Sequence, residues 1–221
     1  MTATINDSTR ARGLPVFLTH QNKFPVGLLI AVLGAIPYVL TNHFPLTPPV
    51  QLTMTRWDSA IPFIPETIWI YLSEYLYFFV AYVLCRDLLN ANKMLYAYFF
   101  LQLVCCAFFL AWPTTYPREL FPLPESLDPL SNFMFTQLRI ADSPNNCCPS
   151  LHVSGVYLVS LVFLDDRRRV FPWIFGWATA IALATLTTKQ HYIVDVVAGF
   201  GVALGLFWLV QRKMPYRHPA R

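Results

Sequence analysis

The sequence predicts an all-α protein, a bundle of six transmembrane helices, and three observations carry that prediction. Hydrophobic residues make up 56% of the 221 and charged residues only 13%, about half the charge of an ordinary soluble domain. Six apolar segments recur along the chain, at residues 24–40, 68–84, 94–112, 151–164, 170–186 and 192–210, and most approach the ~20 helical residues that a bilayer core requires. Lys and Arg are divided unequally between alternate connections, as a multi-pass protein demands.

In chain order, residues 1–23 read as a polar N-terminal tail. The first apolar run comes late, after that tail, with no small-x-small cleavage pattern behind it, so it is a helix and not a signal peptide. Residues 42–66 and 113–149 are proline-rich and predict irregular connections. The second of these mixes apolar and polar residues and predicts an outer loop that folds over a site or lies along the membrane surface. The fourth apolar run is short, as for a span whose outer end meets a polar cavity. Gly201 and Gly205 form a small-xxx-small pair suited to close helix packing. Residues 211–221 form a basic C-terminal tail. The whole of 1–221 is one membrane-embedded domain with no internal repeat.

With the N-terminus inside, the inner segments hold Arg10, Arg12, Lys23, Arg86, Lys93, Arg167, Arg168, Arg169, Arg212, Lys213, Arg217 and Arg221, while the outer ones hold only Arg56, Arg118, Arg139 and Lys189. Both termini are therefore expected in the cytoplasm, with the other face periplasmic, extracellular or lumenal. The net charge of +4 is scattered in short clusters and not interleaved with aromatics, so a nucleic-acid surface is not expected. Five cysteines form no CxxC and no zinc spacing. They read as packing residues, with a disulfide open to Cys147 and Cys148 in an oxidising compartment.

Chemistry-bearing residues gather on the outer face. "CCPSLHVSG" places His152 at the start of the fourth run, just after Ser150, where a helix start offers free N–H groups and a positive dipole end to an anion. "TTKQHYIVDVVAG" sets His191 and Asp195 four apart, on one helix face. A carboxylate there takes one ring N–H and leaves the other nitrogen free as nucleophile or base. In "WPTTYPREL", Arg118 follows the outer end of the third run, and guanidinium suits phosphate. Two histidines, a carboxylate, Arg118 and Lys189 describe a phosphoryl-transfer site. No glycine-rich phosphate loop occurs.

"PSLH" and "HYIVD" resemble the second and third signature motifs of the type 2 phosphatidic acid phosphatase superfamily, over all six runs and in the same order. The forms around them, with "DSAIPFIPETIWIY", resemble the branch that contains inositol phosphorylceramide synthase. The resemblance implies that His191 attacks phosphorus and forms a phosphohistidine, that Asp195 orients it, and that His152 protonates the leaving oxygen. It further implies that Arg118 holds the phosphate oxygens and that no metal or other cofactor is needed; Lys189 and Ser150 are phosphate-binding candidates beside it. Arg139 and Asp58 are further candidates. The chain departs from the superfamily's phosphatases where they carry a first-motif lysine and a third-motif arginine. Ala111 stands at the lysine position, Glu119 follows Arg118, and Ala184 and Thr185 open the third motif. Lys189, Arg139 or Arg56 are candidates to supply the missing charge.

Plainer roles stand beside these. Arg118 is alternatively a headgroup anchor, Lys189 a residue snorkelling to the interface, and Arg139 and Arg56 structural or headgroup-binding groups. Glu74 lies six residues in from the outer end of its run, roughly 9 Å at ~1.5 Å per residue, and is expected to hydrogen-bond within the bundle or to line the cavity. His20, His43 and His218 have no nameable partner. The expected activity is hydrolysis of a lipid phosphate ester or diphosphate, which needs no second lipid site. The alternatives are transfer of a phospho-alcohol headgroup such as phosphoinositol to a lipid hydroxyl, and a non-catalytic lipid-binding or transport role. The partners are the bilayer and a phospholipid or lipid phosphate substrate.

Overall fold

The structure, a computed structural model, describes residues 13–217; Arg10, Arg12, His218 and Arg221 lie outside the described residues. The chain forms α1 (Lys23–His43), a short α2 (Arg56–Ala60), α3 (Ile68–Leu84), α4 (Leu88–Ala111), α5 (Pro129–Ala141), α6 (Leu151–Asp166), α7 (Phe171–Thr187) and α8 (Ile193–Leu206), the last continuing as a π-helix over Phe207–Lys213. The six apolar runs correspond to α1, α3, α4, α6, α7 and α8. Four helical stretches are long and apolar enough to cross a membrane: Lys23–His43, Pro65–Leu84, Leu88–Ala111 and Ile193–Lys213. The chain is a multi-pass membrane protein.

α6 and α7 fall short of that length, at 16 and 17 residues. For α6 the reason lies in its position. It packs against α3, α4, α7 and α8, and every residue from Val153 to Phe163 is buried. A helix surrounded by protein need not match the bilayer thickness, and 16 residues still rise about 24 Å. α1, by contrast, packs chiefly on α4 and exposes Leu28, Leu29, Val32, Leu33 and Ile36.

Lipid tails are as apolar as leucine, so helix association in a membrane depends on close packing and interhelical hydrogen bonds. Both are present. The Tyr77 hydroxyl donates to the Val156 carbonyl at 2.7 Å, and the Trp177 indole donates to Ser73 Oγ at 2.9 Å. Gly199 brings α8 against the start of α6. A Cβ there would lie 2.7 Å from the Ser150 carbonyl oxygen and 3.1 Å from Ser154 Oγ. Gly201 and Gly205 do not pack as the sequence suggested. Both face open space, because one turn of α8 presents Gly199 to α6 and the following glycines point away from it.

Two further differences from the sequence reading have local causes. α4 begins at Leu88, six positions before the apolar run, because Asp87 caps it by accepting the Asn90 N–H at 2.8 Å. The 113–149 connection contains α5, whose start is fixed by Asp128, which accepts from Leu130 and Ser131, and by Pro129 at the first helical position.

The two ends of the bundle differ in content. One end gathers the C-termini of α1, α4 and α7 with the N-termini of α3, α6 and α8. The parallel pairing of Val50–Gln51 with Thr114–Thr115 ties its loops together. The other end holds Lys23, Arg86, Lys93, Arg167, Arg168, Arg169, Arg212, Lys213 and Arg217, closed by pairing of Leu14–Pro15 with Tyr216–Arg217. All five cysteines are free and buried, so the disulfide open to Cys147 and Cys148 is not formed.

Candidate active site

The first end holds both histidines. Ser150 sets the entry of α6, its hydroxyl accepting the Val153 N–H at 3.3 Å. His152 follows two residues on, within the first turn of α6. The α7–α8 connection, Thr188 to Tyr192, is buried along its whole length. It turns through Lys189 at a positive φ of 57°, and Gln190 and His191 both donate their backbone N–H to the Thr185 carbonyl. That turn delivers His191 to the start of α8. Asp195 receives the Tyr192 N–H at 2.9 Å and the His191 Nδ1–H at 3.3 Å on the same oxygen, Oδ2. One carboxylate thus caps the helix and fixes the ring.

The His152 and His191 ring centroids are 5.9 Å apart. His191 and Asp195 are 6% and 0% exposed, so their interaction is little screened. His191 Nε2 and His152 Nδ1 make no hydrogen bond among the described residues. Ser150 joins the two elements directly, its backbone N–H donating to the Asp195 carbonyl oxygen at 3.1 Å.

The residues offered for phosphate binding are near but engaged. Arg118 is buried and directs both terminal nitrogens at Asp142, one to its backbone oxygen and NH2 to Oδ2 at 2.8 Å. Its Nε is buried with no partner among the described residues. The Lys189 ammonium donates to the Asp58 and Ile61 carbonyls at 3.1 and 2.6 Å and lies 5.0 Å from the Phe121 ring centre. It is therefore not at the interface. Burial lowers its pKa, with Asp58 opposing. Arg139 donates to the Phe121 carbonyl at 2.8 Å; burial, then repulsion from Arg118, lowers its pKa. Arg56 stacks over Trp57 at 4.9 Å.

Asp58 both begins a helix and braces a loop. Its Oδ2 accepts from the Thr55 backbone and hydroxyl at 2.9 and 2.6 Å, completing a capping box for α2. Its Oδ1 accepts the Ile193 N–H at 2.8 Å, capping α8 from outside. Burial acts to raise its pKa, yet the hydrogen bonds from Ile193 and Thr55 and the charge of Lys189 outweigh it and hold the carboxyl below its ordinary value. A cleft of about 320 Å³ opens beside it, lined by Thr55, Trp57, Tyr192 and Val197 among others.

Sequence reasoning did not find the partners of His152. The Tyr71 hydroxyl hydrogen-bonds His152 Nε2 at 3.0 Å, and Glu74 Oε1 lies 3.5 Å from the same nitrogen. Tyr71 and Glu74 are three apart on α3, hence on one face, a spacing readable in advance. Asp142 was also missed. It accepts from Tyr38 at 2.6 Å, and the Tyr38 ring lies 6.2 Å from His152, so Arg118 reaches His152 through Asp142 and Tyr38. His43, for which no partner was named, contacts the Ala141 carbonyl and Ser143 Oγ, each at 3.1 Å.

One cluster has the spacing of a metal site. Ligand atoms of Cys147, His191 and Asp195 lie within 4.8 Å of one another. Burial pushes the Cys147 thiol well up, as does the adjacent Asp195 carboxylate, so ligation would first require loss of a firmly held proton.

A multi-pass helical bundle that brings two imidazoles together, one of them buried and backed by a carboxylate, belongs to the class of membrane-embedded phosphatase-type proteins. The family model described as PAP2 superfamily matches residues 66–209, which take in α3 to α8 and both histidines. The chain belongs to the PAP2 superfamily, whose members are generally phosphatase or phosphotransferase enzymes acting on lipid-related substrates. No curated protein and no solved structure matches the chain.

Proposed function

We propose that this protein is an integral-membrane lipid phosphatase working by double displacement through a phosphohistidine. The observation that carries the reading is the pair of imidazoles 5.9 Å apart, with Asp195 fixing His191. That spacing lets one phosphoryl group touch both rings. His191 Nε2 attacks phosphorus and the N–P bond forms as the P–O bond to the lipid breaks. The departing oxygen takes its electron pair and the proton of His152. In the second step His152 removes a proton from water, the hydroxide oxygen bonds phosphorus, and the N–P bond breaks to release phosphate and His191. Asp195 holds the tautomer and offsets the positive charge that develops on His191. Arg118 and Lys189 supply positive potential, with Ser150 shaping the helix start at which phosphate oxygens meet free N–H groups. Arg139 and Asp58 support these elements.

All six long helices are proposed to lie in the bilayer, with α6 shielded by its neighbours. The charge bias supports cytoplasmic termini and an active site on the periplasmic, extracellular or lumenal side. No step is routed through a metal. Chelators are expected to leave turnover intact; loss on chelation with recovery on added zinc would reassign the Cys147–His191–Asp195 cluster.

A panel of lipid phosphates and diphosphates in detergent, with phosphate release and headgroup transfer followed together, tests the reading. Release that disappears in His191→Ala supports the hydrolase. Headgroup exchange without release, on addition of a lipid alcohol, would instead support the transferase of the inositol phosphorylceramide synthase-like branch. Binding without turnover would support a lipid-binding or transport role.

A further inference from the structure

We propose that Glu74 is a positioning residue for His152, so that the site contains two histidine–carboxylate dyads and not one. The inference rests on the reading of His152 as the proton donor. Glu74 sits in the apolar helix α3, its side chain only 6% exposed. It makes no hydrogen bond to a neighbouring helix, and its Oε2 has no partner among the described residues. Its contact at ion-pair distance is His152 Nε2, 3.5 Å from Oε1. A carboxylate retained at that depth without a structural partner marks function by default. Asp142, another acidic group at this end, is already held by Arg118 and Tyr38.

The two dyads use opposite ring nitrogens. Asp195 holds His191 by Nδ1, leaving Nε2 for phosphorus. Glu74, with the Tyr71 hydroxyl one turn earlier, holds His152 by Nε2, leaving Nδ1 for the leaving oxygen. In the charged ring, Nε2–H faces Glu74 and Nδ1–H is free to give. When Nδ1–H passes to the departing oxygen, the ring becomes neutral with Nε2–H still facing Glu74. Nδ1 is then a base for the incoming water. One tautomer serves both half-reactions, with no ring flip between them.

The test separates help to the leaving group from general damage. Wild type, Glu74→Gln, Glu74→Asp and His152→Ala are assayed on dodecyl phosphate, whose alkoxide leaves poorly without a proton, and on 4-nitrophenyl phosphate, whose phenolate leaves readily. Glu74→Gln is expected to lose at least about tenfold more activity on the alkyl than on the aryl ester, part of the roughly 10²–10⁴-fold that a general acid provides. Glu74→Asp is expected to recover part of that selective loss, and His152→Ala to show it in full. Equal loss on both esters in Glu74→Gln, with selective loss in His152→Ala, overturns the proposal and leaves the reading of His152 intact. Non-selective loss in His152→Ala, or a wild type that cleaves neither ester, overturns that reading and the proposal with it. If both Glu74 variants collapse on size-exclusion chromatography, Glu74 is structural and the proposal fails.

Discussion

Two ion pairs of identical length mark the two ends of this bundle. Arg118–Asp142 at the histidine end and Arg212–Asp165 at the other are both 2.8 Å. Their side chains are 9% and 14% exposed in the first pair and 50% and 24% in the second. The first is shut away with Tyr38 on the same carboxylate and leads to His152; the second stands in solvent among other cations. Distance alone therefore says little about what a charge pair does. At one end the charged pair is desolvated beside two imidazoles, and at the other it reaches solvent.

The largest effect that would sharpen this contrast is chemical. Asp195→Asn preserves an acceptor for the Tyr192 N–H but no longer holds His191 in one tautomer or offsets its charge. Turnover is expected to fall about 10³- to 10⁴-fold with the melting temperature little changed. A loss below tenfold would show that the carboxylate merely caps α8. Next comes the buried pair. Arg118→Ala leaves the largely shielded Asp142 carboxylate without its cation and is expected to cost about 3–5 kcal/mol of stability, read by thermal unfolding in detergent. Arg212→Ala, at the exposed pair, is expected to cost about 0–1 kcal/mol. Equal losses would erase the distinction between the two ends.

Gly199→Ala probes the packing that delivers α8 to α6. Its new methyl would press on the Ser150 backbone oxygen, which cannot rotate away, so about 1–3 kcal/mol is expected. Gly201→Ala, with open space around it, is expected to be near neutral. The smallest effect is a pH dependence. The folded-state pKa of Asp58 is depressed, so its stabilisation is complete above the unfolded value of about 3.9 and is lost as pH falls through the folded value. The difference in melting temperature between wild type and Asp58→Asn should narrow on acidification; a gap independent of pH would contradict the capping role.

Much of this fold was legible because its helices obey local rules. Length and apolarity located the six long helices, and the i, i+4 spacing of His191 and Asp195 anticipated their contact, although His191 stands before α8 and meets the carboxylate from the connection and not from a shared helix face. What the sequence hid depends on rotation and on long-range partners. The outward direction of Gly201 and Gly205 follows from how α8 is rolled on α6, which a small-xxx-small spacing does not specify. α5 was masked by prolines on either side, although Asp128–Pro129 is a helix-start signal. Asp142 is remote in sequence from both Arg118 and Tyr38, so only folding reveals that one carboxylate holds the two. Lys189 looked free because its acceptors are backbone carbonyls, which carry no side-chain signature.

The most direct test is to look for the covalent intermediate. A lipid phosphate labelled at phosphorus, mixed with enzyme and quenched within one turnover, should transfer label to the protein through a bond that is stable in alkali and labile in acid. The label should map to His191 and be absent from His191→Ala. Label on another residue, or full turnover by His191→Ala, would contradict the account.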